Sequence, residues 1–290
     1  MLTIKKILLP VNFERGSLSV VHQAAALARR FQSQIVMLHV VTPLSYSLGM
    51  LEGDYVPKSR EDLFAELIRQ AERCLDQYLR PELEGLAVQR LLRNGDPALE
   101  IVKAARDVAA DLVALPTHGY GPFRRFLLGS VTSKVLHDSH CPVWTGAHIE
   151  EQSTTAFTVG NILCALDLSD HSCNTLSFAA QMAAAFKARL TLAHIIADLG
   201  VYSVGGSPAL AAWQETLASS ASERIGQVQR EMRTNAAVLV DIGDVPRTLN
   251  RMALAQKADV LVIGRNPSIG HLRGAGYGII RESRVPVLSV

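Results

Sequence analysis

Cysteine is scarce in this chain of 290 residues. Its four thiols, Cys74, Cys141, Cys164 and Cys173, form no C-x-x-C pair and no zinc-ligand spacing. That scarcity excludes a disulfide scaffold, and buried reduced thiols are expected, Cys74 on a helical stripe, Cys141 beside a strand and Cys164 inside an apolar run. An excess of one charge is also lacking. There are 29 Lys and Arg against 27 Asp and Glu, a formal charge of +2, so neither nucleic acid nor a membrane surface has an electrostatic case as main partner. No run of eighteen apolar residues occurs, which leaves nothing to span a bilayer. The stretch from Met1 meets Pro10 and Asn12 too soon for a secretory signal core, so a cytoplasmic location is expected. The signatures G-x-S-x-G, G-x4-G-K-[ST] and H-E-x-x-H are absent, so esterase, P-loop and zinc-protease chemistry lack support.

What the chain does contain is a repeat. Ile7, Leu8, Ser17, Ala24, Ala25, Ala28, Phe31 and His39 recur as Ile162, Leu163, Ser172, Ala179, Ala180, Ala183, Phe186 and His194, without a gap. Gly95-Asp96 and Ala110-Asp111 recur as Gly243-Asp244 and Ala258-Asp259, and Pro142-Val143 recurs as Pro286-Val287. The offset shrinks along the chain, so the second copy has lost about eleven residues in two loops. Two domains follow, residues 1–149 and 156–290, with the polar stretch from Glu150 to Phe157 as connector.

Each copy alternates short apolar runs with helical periods. In the first, Ile7 to Val11 reads as a buried strand, and Ser17 opens a helix carrying Val20, Val21, Ala24, Ala28 and Phe31. Gln34 to Val41 is a strand, and Ser59 with Asp62 caps a helix bearing Leu63, Leu67, Cys74 and Tyr78. Leu86 to Leu92 is a strand, and Asp96-Pro97 opens a helix. Leu112 to Leu115 is a strand, a helix begins near Ser130, and Pro142 to Thr145 closes the copy. In the second copy Ser207 and Pro208 open a helix whose face holds Leu210, Trp213, Leu217, Ile225, Val228 and Met232. Right-handed crossovers turn this order into an α/β fold: two doubly wound, parallel five-stranded open sheets, Rossmann-like, each a three-layer α/β/α sandwich.

Sheets of this kind bind ligands beyond the carboxyl ends of their strands, where strand order reverses. That points to Asn12, Val40 and the loop from Pro116 to Ser130, which reads PTHGYGPFRRFLLGS. Glycines let backbone N–H groups approach an anion, and Gly129-Ser130 stands at a helix start, where phosphate is favoured. The hydroxyls of Ser130 and Thr132 could add hydrogen bonds, whereas Arg124 and Arg125 read equally well as a solvated face. A phosphate site and an ordinary strand-to-helix turn both fit these residues.

The two copies together resemble a tandem universal stress protein. In that family the nucleotide-binding members carry G-x-x-G-x9-G-[ST] after the fourth strand. Gly119, nine residues, then Gly129-Ser130 match the spacing, and Thr117-His118-Gly119 and Leu128-Gly129-Ser130-Val131 look typical. The resemblance implies the adenine nucleotide alpha hydrolase-like variant of the fold and an ATP site, with Mg, in the first domain. Its residues would be Pro10, Val11, Asn12, Val40, Pro116, Thr117, His118, Gly119, Gly129, Ser130, Val131 and Thr132. Two positions depart from the pattern. Pro116 replaces the first glycine and removes an N–H, and Asn12 replaces an aspartate, losing charge while gaining a donor.

The second copy keeps Asp167 and Gly264 but has Pro267 where the second glycine belongs, and Gly270, Gly274, Gly276 and Gly278 read as a flexible loop. It is expected to serve as a built-in dimer partner, with Pro142 to Thr145 pairing with Pro286 to Ser289, as the family pairs its final strands. His39 and His194 read as hydrogen-bonded core residues, and His140 and Cys141 as neighbours pointing to opposite faces. The expected function is a stress-response protein that binds an adenine nucleotide and regulates or binds an unidentified protein partner, with further homodimerisation left open. The alternatives are a ligand-free interaction protein, favoured by Pro116 and Pro267, and a slow ATP hydrolase, for which His118 is the single candidate base.

Overall fold

The structure is a computed structural model that describes residues 2–13, 18–42, 60–117, 128–147, 157–197, 208–265 and 274–290. The first copy runs β1 (Lys6–Pro10), α1 (Leu18–Phe31), β2 (Gln34–Val41), α2 (Arg60–Gln77), β3 (Val88–Asn94), α3 (Pro97–Asp107), β4 (Leu112–Leu115), α4 (Ser130–Asp138) and β5 (Val143–Thr145). The second runs β6 (Asn161–Ala165), α5 (Ser172–Phe186), β7 (Arg189–Ala197), α6 (Pro208–Met232), β8 (Ala237–Gly243), α7 (Val245–Ala255), β9 (Val260–Ile263), α8 (Gly274–Glu282) and β10 (Val287–Ser289).

Strand pairing follows from burial. β4 and β9 are buried at every position, as expected for parallel strands covered on both faces. Alternate residues divide between the faces. Ile7, Leu9, Ile35, Met37 and Trp144 meet α1 and α2, while Leu8, Val36, Leu38, Val113 and Leu115 meet α3 and α4. Each copy orders its strands 3-2-1-4-5 in parallel, and the two are joined into one ten-stranded sheet, β3-β2-β1-β4-β5-β10-β9-β6-β7-β8. The join is antiparallel: Val287 pairs with Thr145, Leu288 with Trp144 and Ser289 with Val143. Both core clusters include residues of both copies, so the hydrophobic layers run across the junction.

The duplication extends to backbone strain. Left-handed conformations recur at matched positions: Phe13 with Leu168, Gln32 with Lys187, Leu79 with Arg233, and Ala109 with Lys257. Matched side chains hold matched turns. Asp111 accepts from Lys5 and Lys6 N–H at 2.7 and 2.9 Å, and Asp259 from Gly160 and Asn161 at 2.7 and 2.8 Å. Asp96 and Asp244 cap α3 and α7 by accepting from Leu99 and Arg247 N–H.

Some expectations need correction. Cys74 is exposed, because α2 buries Ala71 and Leu75, one residue out of register with it. Trp213 is exposed, since α6 buries its later turns through Ala221 and Ile225. Strand β3 starts two residues later than expected. Gly274, Gly276 and Gly278 lie in helix α8 rather than a loop, because Ile279 and Ile280 supply a buried stripe there. A Cβ on Gly278 would come within 2.8 Å of the Pro246 ring on α7, so glycine sets how closely these helices pack. Ser17, Ser59 and Ser207 lie outside the described residues.

Candidate functional site

The order 3-2-1-4-5 reverses between β1 and β4, and the first domain's candidate crevice lies at their carboxyl ends. Val11 leaves β1 with its N–H donating to the Leu38 carbonyl at 2.8 Å, and its own carbonyl accepts from His39 Nδ1–H at 2.8 Å. The His39 ring packs on Phe13, with centroids 4.1 Å apart. Burial holds its pKa below the ordinary imidazole value despite the Val11 carbonyl, which favours the proton, so the ring is neutral at pH 7. His194 makes the matching bond to the Leu166 carbonyl, also at 2.8 Å. Both histidines fasten the end of a first strand to its neighbour. Asn12 is exposed beyond this anchor, and Val40 is half-buried near the end of β2.

The far wall is the pair of segments around β4 and α4. The Thr117 carbonyl accepts from Gly129 N–H at 2.9 Å, and the Pro116 carbonyl accepts from the Thr132 hydroxyl at 2.9 Å. Thr117 and Thr132 are buried. The base of the loop is therefore closed by its own hydrogen bonds, and the Thr132 hydroxyl donates inward. Gly129 caps α4 with φ −57° and ψ 141° and offers no side-chain cap. The first N–H groups of a helix have no acceptor within it, so those of Ser130, Val131 and Thr132 present donors and the positive end of the dipole. Ser130 is exposed and Val131 half-buried. His118, Gly119, Arg124 and Arg125 lie outside the described residues.

Pro10, Val11, Asn12 and Val40 lie at the carboxyl ends of β1 and β2, and Pro116, Thr117 and Gly129 to Thr132 lie after β4 and at the start of α4. Proline at 116 offers only a carbonyl here, and that carbonyl is already engaged by Thr132.

The second domain contains a cavity of about 270 Å³ that the sequence reading did not foresee. Apolar residues such as Leu166, Ile195, Leu249 and Ile263 form much of its lining, with Asp167, His194 and Gly264 among them. The Asp167 carboxylate accepts from Ser169 N–H at 3.0 Å and from the Ser169 and Ser172 hydroxyls at 2.7 and 3.2 Å, which commits it to the start of α5. A Cβ on Gly264 would stand 2.6 Å from Thr175 Oγ1, so this glycine is needed for packing against α5. The signal available in the sequence was the apolar runs of β6, β7 and β9, which read simply as core.

Arg265 follows Gly264 and crosses to the first domain. Its guanidinium donates to the carbonyls of Leu136 and Ser139, at 3.3 and 3.1 Å, and of Cys141. The position it repeats is Thr117, so this link is made in one direction only. Among the described residues no group of three or more His, Cys, Asp or Glu could hold a metal ion, and no helix is long and apolar enough to cross a membrane.

The universal stress protein family model matches the chain twice, over residues 3–145 and 158–290. A universal stress protein of Methanocaldococcus jannaschii is 30% identical over 141 residues, which is 48% of this chain and 79% of that protein. The crystal structure of a universal stress protein from Archaeoglobus fulgidus aligns with 99% of this chain and 96% of its own, at 20% identity and a TM-score of 0.68. A universal stress protein solved in complex with cAMP matches 50% of this chain and 97% of its own at 18% identity and a TM-score of 0.34, too low to carry its ligand across.

Proposed function

The chain belongs to the universal stress protein family, and on that premise we propose that its first domain, residues 1–149, binds one adenine nucleotide, ATP-like, as part of a stress response. The observation that carries this reading is the start of α4. The amino end of α4 follows β4 at the strand-order reversal without a side-chain cap, and the loop base is closed by the Gly129–Thr117 and Thr132–Pro116 bonds. Ser130, Val131 and Thr132 would take the phosphates through their N–H groups. His118 and Gly119 would join them from the loop, and Asn12 and Val40 would hold the nucleoside. Magnesium would arrive with the phosphates, since such an ion keeps waters and needs few protein oxygens.

The second domain, residues 156–290, serves chiefly as a built-in partner. Its Asp167 is committed to local capping, and its cavity of about 270 Å³ lies below the usual range for drug-sized ligands, roughly 300–1,000 Å³. We place the protein in the cytoplasm, acting by nucleotide-dependent binding rather than turnover.

Gly129→Asp separates this site from mere folding. At φ −57° aspartate is unstrained, and it is a favoured helix cap, so the change should leave thermal stability equal or higher. Its carboxylate would occupy the same N–H groups and repel phosphate. Protein freshly purified, then heat-denatured, should release adenine nucleotide from wild type and none from Gly129→Asp. An empty wild-type supernatant, together with no thermal shift at millimolar Mg-ATP, would favour the ligand-free reading instead.

A further inference from the structure

A groove of about 820 Å³ runs along the junction of the two domains, away from the crevice between β1 and β4. Its walls come from α3, the carboxyl end of α4 and the first turn of α5, with Arg265 bridging the domains. Lys103, Arg106, His137, His140 and His171 face it, together with three acids.

The acids are already committed. Asp96 caps Leu99 N–H at 2.8 Å and stands 3.6 Å from Lys134. Glu100 lies 3.1 Å from Lys103 and 3.5 Å from Arg93. Asp138 contacts His137. In contrast, the side chains of Arg106, His140, His171 and Asn174 have no hydrogen bond or ion pair among the described residues. They come from three different elements and both domains. The start of α5 adds the positive end of a 15-residue helix, where His171 caps without a side-chain bond. Burial first, and then the nearby Arg106 and Arg265 charges, hold His140 below the ordinary imidazole value. Beside this cationic end the wall turns apolar through Leu99, Val102 and Pro142, and Leu99 is 51% exposed.

We propose that this junction groove binds a small organic phosphate monoester, its phosphate held by Arg106, His140, His171 and Asn174 and its organic part resting on Leu99 and Val102. A planar guanidinium with two imidazoles suits a tetrahedral dianion, and the groove volume lies within the range of small-molecule sites, roughly 300–1,000 Å³. A metal ion does not suit it, since the groove's acids are paired and no metal-holding group occurs among the described residues. Such a ligand would touch both domains at once, independently of any nucleotide in the first.

The test titrates phenyl phosphate into the full chain at pH 7, with histidine imidazoles observed by NMR and assigned through His140→Asn and His171→Asn. The His140 and His171 signals should move together and saturate, with inorganic phosphate at least threefold weaker for want of the apolar contact. Arg106→Ala, at an exposed position in the last turn of α3, should weaken binding at least tenfold with thermal unfolding measured beside it, and Arg106→Lys should recover part of it. Unmoved His140 and His171 signals at 10 mM phenyl phosphate would overturn the proposal. So would equal affinity in Arg106→Ala, or equal affinity for inorganic phosphate.

Discussion

Gly129 has no side chain where a helix would ordinarily take a Ser or Asp cap, so it supplies no side-chain acceptor to the first N–H groups of α4, where the nucleotide site is proposed. That choice costs some helix stability, and Gly129→Asp should recover about 0.5–1 kcal/mol in urea unfolding while removing nucleotide binding. His39 shows a second residue-scale effect. Its folded pKa lies below the unfolded value of 6.5, so the folded state prefers the neutral ring. The corresponding stability is fully present above pH 6.5 and is lost as pH falls through the folded value. His140 shifts in the same direction. Urea midpoints should therefore drop between pH 7 and pH 5, and His39→Gln should flatten that slope. An unchanged slope would remove His39 from the account. The Cys164 thiol, pushed up to about 12 by burial, stays protonated and inert across this range.

Among the elements, α7 and α8 meet at a glycine, Gly278, whose neighbour is a rigid ring. Gly278→Ala would gain about 1 kcal/mol of helix preference, yet its Cβ would press on a rigid proline ring at 2.8 Å. Overpacking of this kind costs about 1–3 kcal/mol, so a net loss of up to about 2 kcal/mol in thermal or urea unfolding is expected. This helix also shows where the sequence was hard to read. Glycines at 274, 276 and 278 look like a loop in isolation, and only contact with α7 makes them a helix. Strands β1, β2 and β4 were legible within a residue because both faces are largely buried, and the one polar residue between apolar neighbours, His39 in β2, is hydrogen-bonded to the Val11 carbonyl. Cys74 was misplaced because α2 is amphipathic with a narrow buried stripe, where one residue of rotation exchanges faces. The start of α4 after Gly129 was legible from the sequence. The Thr132 bond to Pro116 and the reach of Arg265 across the junction were not, since both depend on distances that only the folded chain defines.

For the whole molecule, the junction decides whether two copies behave as one body. Trp144 is fully buried, pairs with Leu288 across β5 and β10, and donates its Nε1–H to Gln23 Oε1 at 2.7 Å. Phe31 and Phe186, matched residues of the repeat, meet edge to face at 5.7 Å. Because both core layers cross the join, wild type should unfold in one calorimetric transition. Trp144→Ala should cost about 3–5 kcal/mol and split that transition in two. Two transitions in wild type would mean that the domains are independent.

With the proposed site at the start of α4 in the first copy, and Asp167 of the second copy bonded to Ser169 and Ser172, one nucleotide per chain is expected. Isothermal calorimetry of Mg-ATP into the 290-residue chain tests this directly. The account predicts saturable heat with a stoichiometry of one per chain, abolished by Gly129→Asp. No heat at millimolar ligand, two sites per chain, or binding that survives Gly129→Asp would contradict it.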